Sequence, residues 1–208
     1  MAALRLWPLC LTIFVSPHVA ATNYYVSISL PKGVQIELPK NWEALSNKQR
    51  INLGAYSQAK VESLGLDTSS ELDFAANYYD DRNQAAGIVN VRYYPDLAVS
   101  QADARAASVS DIRELDTQLR QGMDQGFSGT GVRILNWKGT KKQVIHGNTV
   151  FITEYKRSPM QDNRNFIVRL VRMFNMGKSF TVTISYREDH EYLLRPITDR
   201  IIASIRLH

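Results

Sequence analysis

Ser179-Phe-Thr-Val-Thr-Ile-Ser-Tyr186 decides the fold class of this chain. Phe180, Val182, Ile184 and Tyr186 alternate with Ser179, Thr181, Thr183 and Ser185. That period of two marks a strand, and an apolar-in, polar-out pattern predicts a half-buried antiparallel one. Upstream, further strand patterns occupy 132–138, 141–146, 149–157 and 164–175. Strands in direct succession favour hairpins over crossover units. Downstream, Leu194, Ile197, Ile201 and Ile205 share one helical face. Pro196 suits a first turn, so this helix is expected to begin near Arg195 rather than Asp189.

The first half has the same character. Tyr24–Leu30 and Val34–Leu38 alternate, with the turn Pro31-Lys32-Gly33 between them and Pro39 ending the second. Ser46 to Leu64 is loosely helical, with Ile51, Ala55, Ala59 and Leu64 near one side and Gly65 as a stop. Leu72–Tyr79 and Gly87–Tyr94 read as paired strands around Asp80-Asp81-Arg82-Asn83. Ile112, Leu115, Leu119 and Met123 form the apolar stripe of a helix over about 100–125. Ser100 or Ser110 can cap its start, and Gly122 or Gly126 can end it. No linker or repeat interrupts the chain. The expected fold is a single α+β domain, an antiparallel sheet of about six to eight strands packed by helices.

The N-terminus has the order of a secretory signal. Met1 to Arg5 carries one positive side chain, Leu6 to Val15 is mostly apolar, and Val19-Ala20-Ala21 supplies small residues for cleavage. The apolar stretch is too short to span a bilayer as a helix. The expected division is therefore a signal peptide over 1–21, cut before Thr22, and a domain over 22–208. No second apolar run predicts a transmembrane span. The expected location is periplasmic or secreted, which removes most readings that depend on ATP, GTP or a nucleotide cofactor. Cys10, the only cysteine, lies in the leader, so the mature domain has no disulfide or thiolate chemistry. Apolar residues continue beyond Cys10, which argues against its lipidation.

Charge is divided along the sequence. Residues 132–208 hold 14 Lys/Arg and 6 Asp/Glu, whereas residues 22–131 hold 10 and 14. A basic half of this kind suits an anionic envelope component or an acidic partner. Its candidate surface is Lys138, Lys141, Lys142, Lys156, Arg157, Arg169 and Arg187, on or beside the last strands. Arg164, Arg172 and Lys178 lie in the same region. The competing reading is a solvated sheet with local ion pairs, such as Arg172 with Glu154 across a hairpin. Nucleic acid is not expected as a partner, because no recognition module is visible.

Tyr78-Tyr79 and Tyr93-Tyr94, like Tyr24-Tyr25, place adjacent rings on opposite faces of a strand. One ring of each pair is expected in the core. The others make Tyr78, Tyr79, Tyr93 and Tyr94 the candidate groove residues, although tyrosine is also ordinary strand composition.

The remaining motifs have plain readings. His146, His190 and His208 lack metal-site spacing. Asp189-His190-Glu191 reads as acidic residues favouring the positive end of a helix. In Gly126-Phe-Ser-Gly-Thr-Gly131, Thr130 stands where a nucleophile elbow needs glycine. The segment also follows a helix and opens a strand, the reverse of a phosphate loop. Asp80, Asp81 and Asn83 satisfy turn geometry without calcium. No catalytic, cofactor-binding or metal-binding residue is assigned.

The segment Gly33-Val-Gln-Ile-Glu-Leu-Pro39-Lys-Asn-Trp42 resembles the strand-Pro-x-x-Trp opening of the PsbP-like fold group. Phe180–Tyr186 and Ile201-Ile-Ala-Ser-Ile205 resemble its last strand and closing helix. The group includes photosystem II accessory subunits, a nuclear import factor acting on Ran, and DcrB-type bacterial envelope proteins, to which the chain is expected to be closest. The resemblance implies a non-catalytic accessory or binding protein of the bacterial envelope, acting through a sheet face or groove. Two other readings stay open. A carrier of a lipid or small apolar ligand needs a large closed apolar pocket. A carboxylate-based hydrolase needs two carboxylates facing each other in a polar cleft.

Overall fold

Consecutive alternating segments pair as hairpins, and the resulting sheet is the frame of the molecule. The computed structural model describes residues 24–52, 71–95, 99–159, 163–175 and 178–208. Its strands are β1 (Tyr25–Ser29), β2 (Val34–Pro39), β3 (Glu43–Ala44), β4 (Glu71–Tyr79), β5 (Ala85–Tyr94), β6 (Ile134–Ile145), β7 (Asn148–Arg157), β8 (Phe166–Asn175), β9 (Lys178–Arg187) and β10 (Arg206–Leu207). Among the described residues, seven strands form one sheet in the order β3-β4-β5-β9-β8-β7-β6, and β1-β2-β10 form a second. All pairs are antiparallel. Besides a helical stretch at 47–52, the helices among the described residues are α1 (Gln101–Ala106), α2 (Val109–Phe127) and α3 (Glu191–Ser204). The expected α+β class and strand number both hold.

The main core lies on one face of the large sheet. Phe180, Val182, Ile184 and Tyr186 of β9 meet Val34, Ile36 and Leu38 of β2 and Leu194 and Ile201 of α3 there. Trp42 is also buried in this core, against Tyr78 and Gly87. A Cβ at Gly87 would stand 3.1 Å from the Trp42 ring, so that glycine makes room for the indole. On the opposite face, α2 and α1 lie over β6, β7 and β8. Met123 and Phe127 pack there with Phe166, Val168 and Leu170, while Ile112 and Leu115 pack with Phe151 and Phe174.

β9 is not half-buried, because its polar face is covered as well. Ser179, Thr181, Ser185 and Arg187 are all buried. β9 runs between β5 and β8, and large cross-strand neighbours such as Tyr94 and Phe174 flank its small hydroxyl residues. Alternation reports which side chains are polar, and here the polar ones have been walled in.

The helix expected over 100–125 is two helices. Ser100 and Ser108, not Ser110, start them, each with a capping box closed by Asp103 or Asp111. Lys142 Nζ donates to the carbonyls of Arg105 (3.1 Å) and Ala107 (2.7 Å), satisfying the end of α1 from another strand. α2 then runs through Gly122 and Gly126 to Phe127, because Met123 and Phe127 gain core contacts by staying helical. Gln101 ties α1 to the sheet by donating to the carbonyls of Thr149 and Phe174 and accepting from the Thr149 N–H.

The strands expected at 132–138 and 141–146 are one bulged strand, β6. Its register jumps from Trp137↔Tyr155 to Gly139↔Glu154, leaving Lys138 as the extra residue and Gly139 at φ +88°. His146 and Gly147, both at positive φ, make the tight turn into β7.

α3 begins at Glu191, earlier than Pro196 suggested, because a 3-10 turn at Glu188–His190 leads directly into it. Pro196 removes the N–H that would meet the Tyr192 carbonyl, and Tyr192 lies on an exposed turn. Past α3, the two-residue β10 pairs with β2, and the His208 N–H donates to the Gly33 carbonyl at 2.8 Å. Residues 47–52 are helical, with Ser46 and Gln49 capping reciprocally. The rest of the helix expected to Leu64, with Gly65, lies outside the described residues, as does the leader over 1–21. No described helix is long and apolar enough to cross a membrane.

Ile201 has no exposed surface. Ile201→Asp puts an unpaired charge between α3 and both sheets, at a cost on the order of 4 kcal/mol. Chemical denaturation of the purified protein is expected to show a large fall in midpoint or no folded baseline. A midpoint equal to wild type would mean that α3 does not seal the core.

Candidate functional site

The two faces of the large sheet divide the tyrosines. Tyr93 is buried in the main core with its ring 5.4 Å from Phe180, and Lys32 Nζ lies 4.1 Å from its centroid. Tyr78 is on the same face, 6.1 Å from Trp42. Tyr79 and Tyr94 are half-buried on the other face. The Tyr79 hydroxyl accepts from Asn77 Nδ2 at 3.1 Å, whereas Tyr94 lines a small hollow with Arg172, Phe174, Ser179 and Thr181. The structure therefore splits the four candidate groove residues into two core rings and two rings on the far face. Asn90, Arg92 and Thr183 share that far face, as the register of β5 and β9 requires.

The candidate basic residues are mostly engaged within the chain. Glu154 collects three of the cations around it. Lys138 Nζ lies 2.6 Å away, Arg195 donates both terminal nitrogens at 3.1 Å, and Arg169 Nε is at 3.6 Å. Burial pushes the Glu154 carboxyl up, but hydrogen bonds from Arg195 and Lys138 outweigh it and hold the group below its usual value. Arg169 continues to Asp199 at 2.5 Å, pinning α3 to β8. The ion pair expected between Arg172 and Glu154 does not form. Register places Arg169 opposite Glu154, and Arg172 opposite Phe151.

Arg187 is the second hub. It is buried and contacts Asp80 and Asp189, both at 2.6 Å. Asp80 also accepts from the N–H groups of Arg82 (3.0 Å) and Gln84 (2.9 Å), so this carboxylate both organises its turn and ties it to the end of β9. Lys156 pairs with Glu188 at 2.5 Å. Arg157 donates to the Ser158 carbonyl and lies over the Phe166 ring at 4.7 Å. Lys142 caps α1, and Lys141 stands exposed on β6. Of the seven, Lys138 and Arg169 share Glu154, Arg187, Lys156, Arg157 and Lys142 each have contacts of their own, and Lys141 is exposed.

The other sequence motifs also have local roles. Glu191 pairs with Arg195 at 3.1 Å, and His190 Nε2 lies 3.9 Å from Asp80. Gly129 and Gly131 take positive φ in the loop from α2 to β6, beside an open cleft of about 660 Å³ that includes Asp124 and Arg133. A second open cleft, about 440 Å³, lies between the β6–β7 turn and α3. Under α1 and α2 is an apolar recess of about 140 Å³ beside Ile112, Leu115 and Phe151.

Sequence reading passed over the hollow at Arg172. In sequence its floor, Ser179 and Thr181, is the polar side of a half-buried strand, and Arg172 belongs either to an anion-binding basic face or to an ion pair with Glu154. The signal lay in the β8–β9 register, which pairs Phe174 with Ser179 and Arg172 with Thr181.

No protein-family model matches the chain, and no curated protein matches it in sequence. Solved structures do. Cyanobacterial PsbP (CyanoP) of Synechocystis shares 13% identity at a TM-score of 0.57, over 94% of this chain and 99% of that one. LpqN of Mycobacterium tuberculosis, involved in cell envelope biogenesis, shares 10% at 0.48, over 88% and 90%. The yeast Ran-binding protein Mog1p shares 6% at 0.45, over 88% and 95%. The fold is PsbP-like.

The Arg187 hub makes a pH prediction. Hydrogen bonds from Gln84 N–H and then Arg187 depress Asp80, the Arg187 hydrogen bond depresses Asp189, and the Lys156 hydrogen bond depresses Glu188. A carboxylate depressed by folding stabilises fully above its unfolded pKa of about 4 and loses that contribution as pH falls through the folded value. The melting temperature is therefore expected to drop below about pH 4. Asp80→Asn should lower it at pH 7 and flatten the acid slope. An acid slope as steep as wild type in that variant would mean that Asp80 is not linked to folding.

Proposed function

We propose that the protein is an exported, non-catalytic accessory or binding protein of the bacterial envelope, related in role to the DcrB-type proteins. The observation that carries the reading is the far face of β4, β5 and β9. It presents half-buried aromatic and polar side chains, Tyr79, Tyr94, Asn77, Asn90 and Thr183, on a rigid sheet whose other face is the core. A surface of amphipathic rings and hydrogen-bonding groups suits a protein or peptide partner. The leader-like Met1 to Ala21 supports export into a periplasmic or secreted location. LpqN is described as involved in cell envelope biogenesis, and CyanoP as a cyanobacterial PsbP. Both descriptions are compatible with an accessory role outside the cytoplasm.

Geometry favours this reading over its rivals. The apolar recess beside α1 and α2, about 140 Å³, is smaller than the roughly 300 Å³ that drug-sized or lipid ligands need. Carboxylates that come together among the described residues do so around a basic side chain and not across an open polar cleft: Asp80 and Asp189 on Arg187, Glu71 and Asp73 on Lys32, and Glu154 with Asp199 on Arg169 and with Glu191 on Arg195.

Two measurements check the proposal. The full chain expressed in a Gram-negative host is expected in the periplasmic fraction with Thr22 or a near neighbour at its N-terminus. Intact Met1 protein in the cytoplasm would contradict export. With p-benzoylphenylalanine at position 79, photolysis in cells is expected to trap a discrete envelope partner. The same group at Tyr192, exposed on α3, is expected to trap none. Equal trapping at both positions, or none at 79, would contradict binding through the sheet face.

A further inference from the structure

Half-buried Arg172 differs from the buried arginines near it. Arg169 and Arg187 each reach carboxylates. Arg172 makes no ion pair among the described residues, and its Nε is wholly buried without a hydrogen-bond partner. Burial pushes the guanidinium below its usual pKa, with Tyr94 opposing the shift. A charge taken out of water without a partner is costly, and proteins normally compensate it.

The surroundings are built by strand register. Ser179 lies between Phe174 on β8 and Tyr94 on β5, and Thr181 lies between Arg172 and Arg92. Small residues flanked by large ones leave a trough. Its floor is two hydroxyls, its walls are two aromatic rings, and the Arg172 side chain lines it. The hollow is about 70 Å³, several times the ~10–15 Å³ that one water requires.

We infer that this trough binds the carboxylate of a small organic anion. A guanidinium presents a planar fork that matches a carboxylate with two parallel hydrogen bonds. The Ser179, Thr181 and Tyr94 hydroxyls supply further donors, and the Phe174 and Tyr94 rings suit a short apolar substituent. A tetrahedral inorganic anion fits less well, because it has no apolar part to set against the Phe174 and Tyr94 rings. The site lies beyond the proposed envelope role and depends on neither export nor a protein partner.

Thermal melts of the purified protein in sodium butyrate, sodium phosphate and sodium chloride at equal ionic strength test the inference. In wild type, butyrate is expected to raise the melting temperature with the logarithm of its concentration once above its dissociation constant, by about 5–10 °C at a hundredfold excess. Phosphate should do little more than chloride. Arg172→Met should melt in chloride close to wild type, since the half-buried guanidinium has no ion pair to lose, and should lose the butyrate response. Should that variant fail to fold, Thr181→Val keeps the volume and removes one donor. It is expected to need about fivefold more butyrate for the same rise in melting temperature. A wild-type response to butyrate no larger than to chloride would overturn the site. An undiminished response in either variant would overturn it too. A phosphate response exceeding that of butyrate would overturn the carboxylate chemistry.

Discussion

β9 must be buried on both faces, and most of the architecture follows from meeting that requirement twice with different chemistry. On one face, Phe180, Val182, Ile184 and Tyr186 are at or below 1% exposure. Each is worth about 1.5–3 kcal/mol when removed from water. Realising that gain needs a lid, which the small sheet and α3 provide. The lid is closed by residues 204–208. β10 completes the small sheet against β2, and the Glu37 N–H donates to Ser204 Oγ at 2.9 Å. Gly33 permits the closure, since a Cβ there would lie 2.8 Å from the His208 carbonyl. On the other face, hydroxyls are buried instead, and their large neighbours form a trough rather than a packed layer.

Charge is used mainly for assembly. The acidic first half and basic second half of the sequence meet in space as ion pairs, Asp80 with Arg187 and Glu37 with Arg200. Glu154 and Asp199 serve the same end within the basic half, fixing α3 to β7 and β8 through Arg195 and Arg169. Removing one partner from such a cluster leaves a buried charge behind, which costs more than the pair contributes. This explains why so many of the basic side chains near the last strands are committed inside the molecule. It also makes the unpaired Arg172 conspicuous.

What the sequence made legible was local periodicity. The alternation of Val34, Ile36 and Leu38 placed β2 in the core, and Leu194 and Ile201 marked the buried side of α3. The strand-Pro-x-x-Trp opening was a fold signal because Trp42 packs over Gly87, 45 positions further along the chain. Features set by distant contacts were not legible. The break between α1 and α2 is satisfied by Lys142 from β6, and the bulge at Lys138 turns an apparent loop into continuous strand. The two residues of β10 are too short to carry any period. The trough at Arg172 needs the register of three strands at once, which one-dimensional alternation does not contain.

A built site on the polar face of β9, unlike a solvated surface, brings a bound carboxylate to the Arg172 guanidinium. Nuclear magnetic resonance of the Arg172 Nε–H, titrated with butyrate, tests it most directly. A saturable shift of that resonance is expected, accompanied by the backbone amides of residues 179–182 and by little else. Shifts confined to exposed groups such as Lys141, with the Arg172 resonance unmoved, would contradict it.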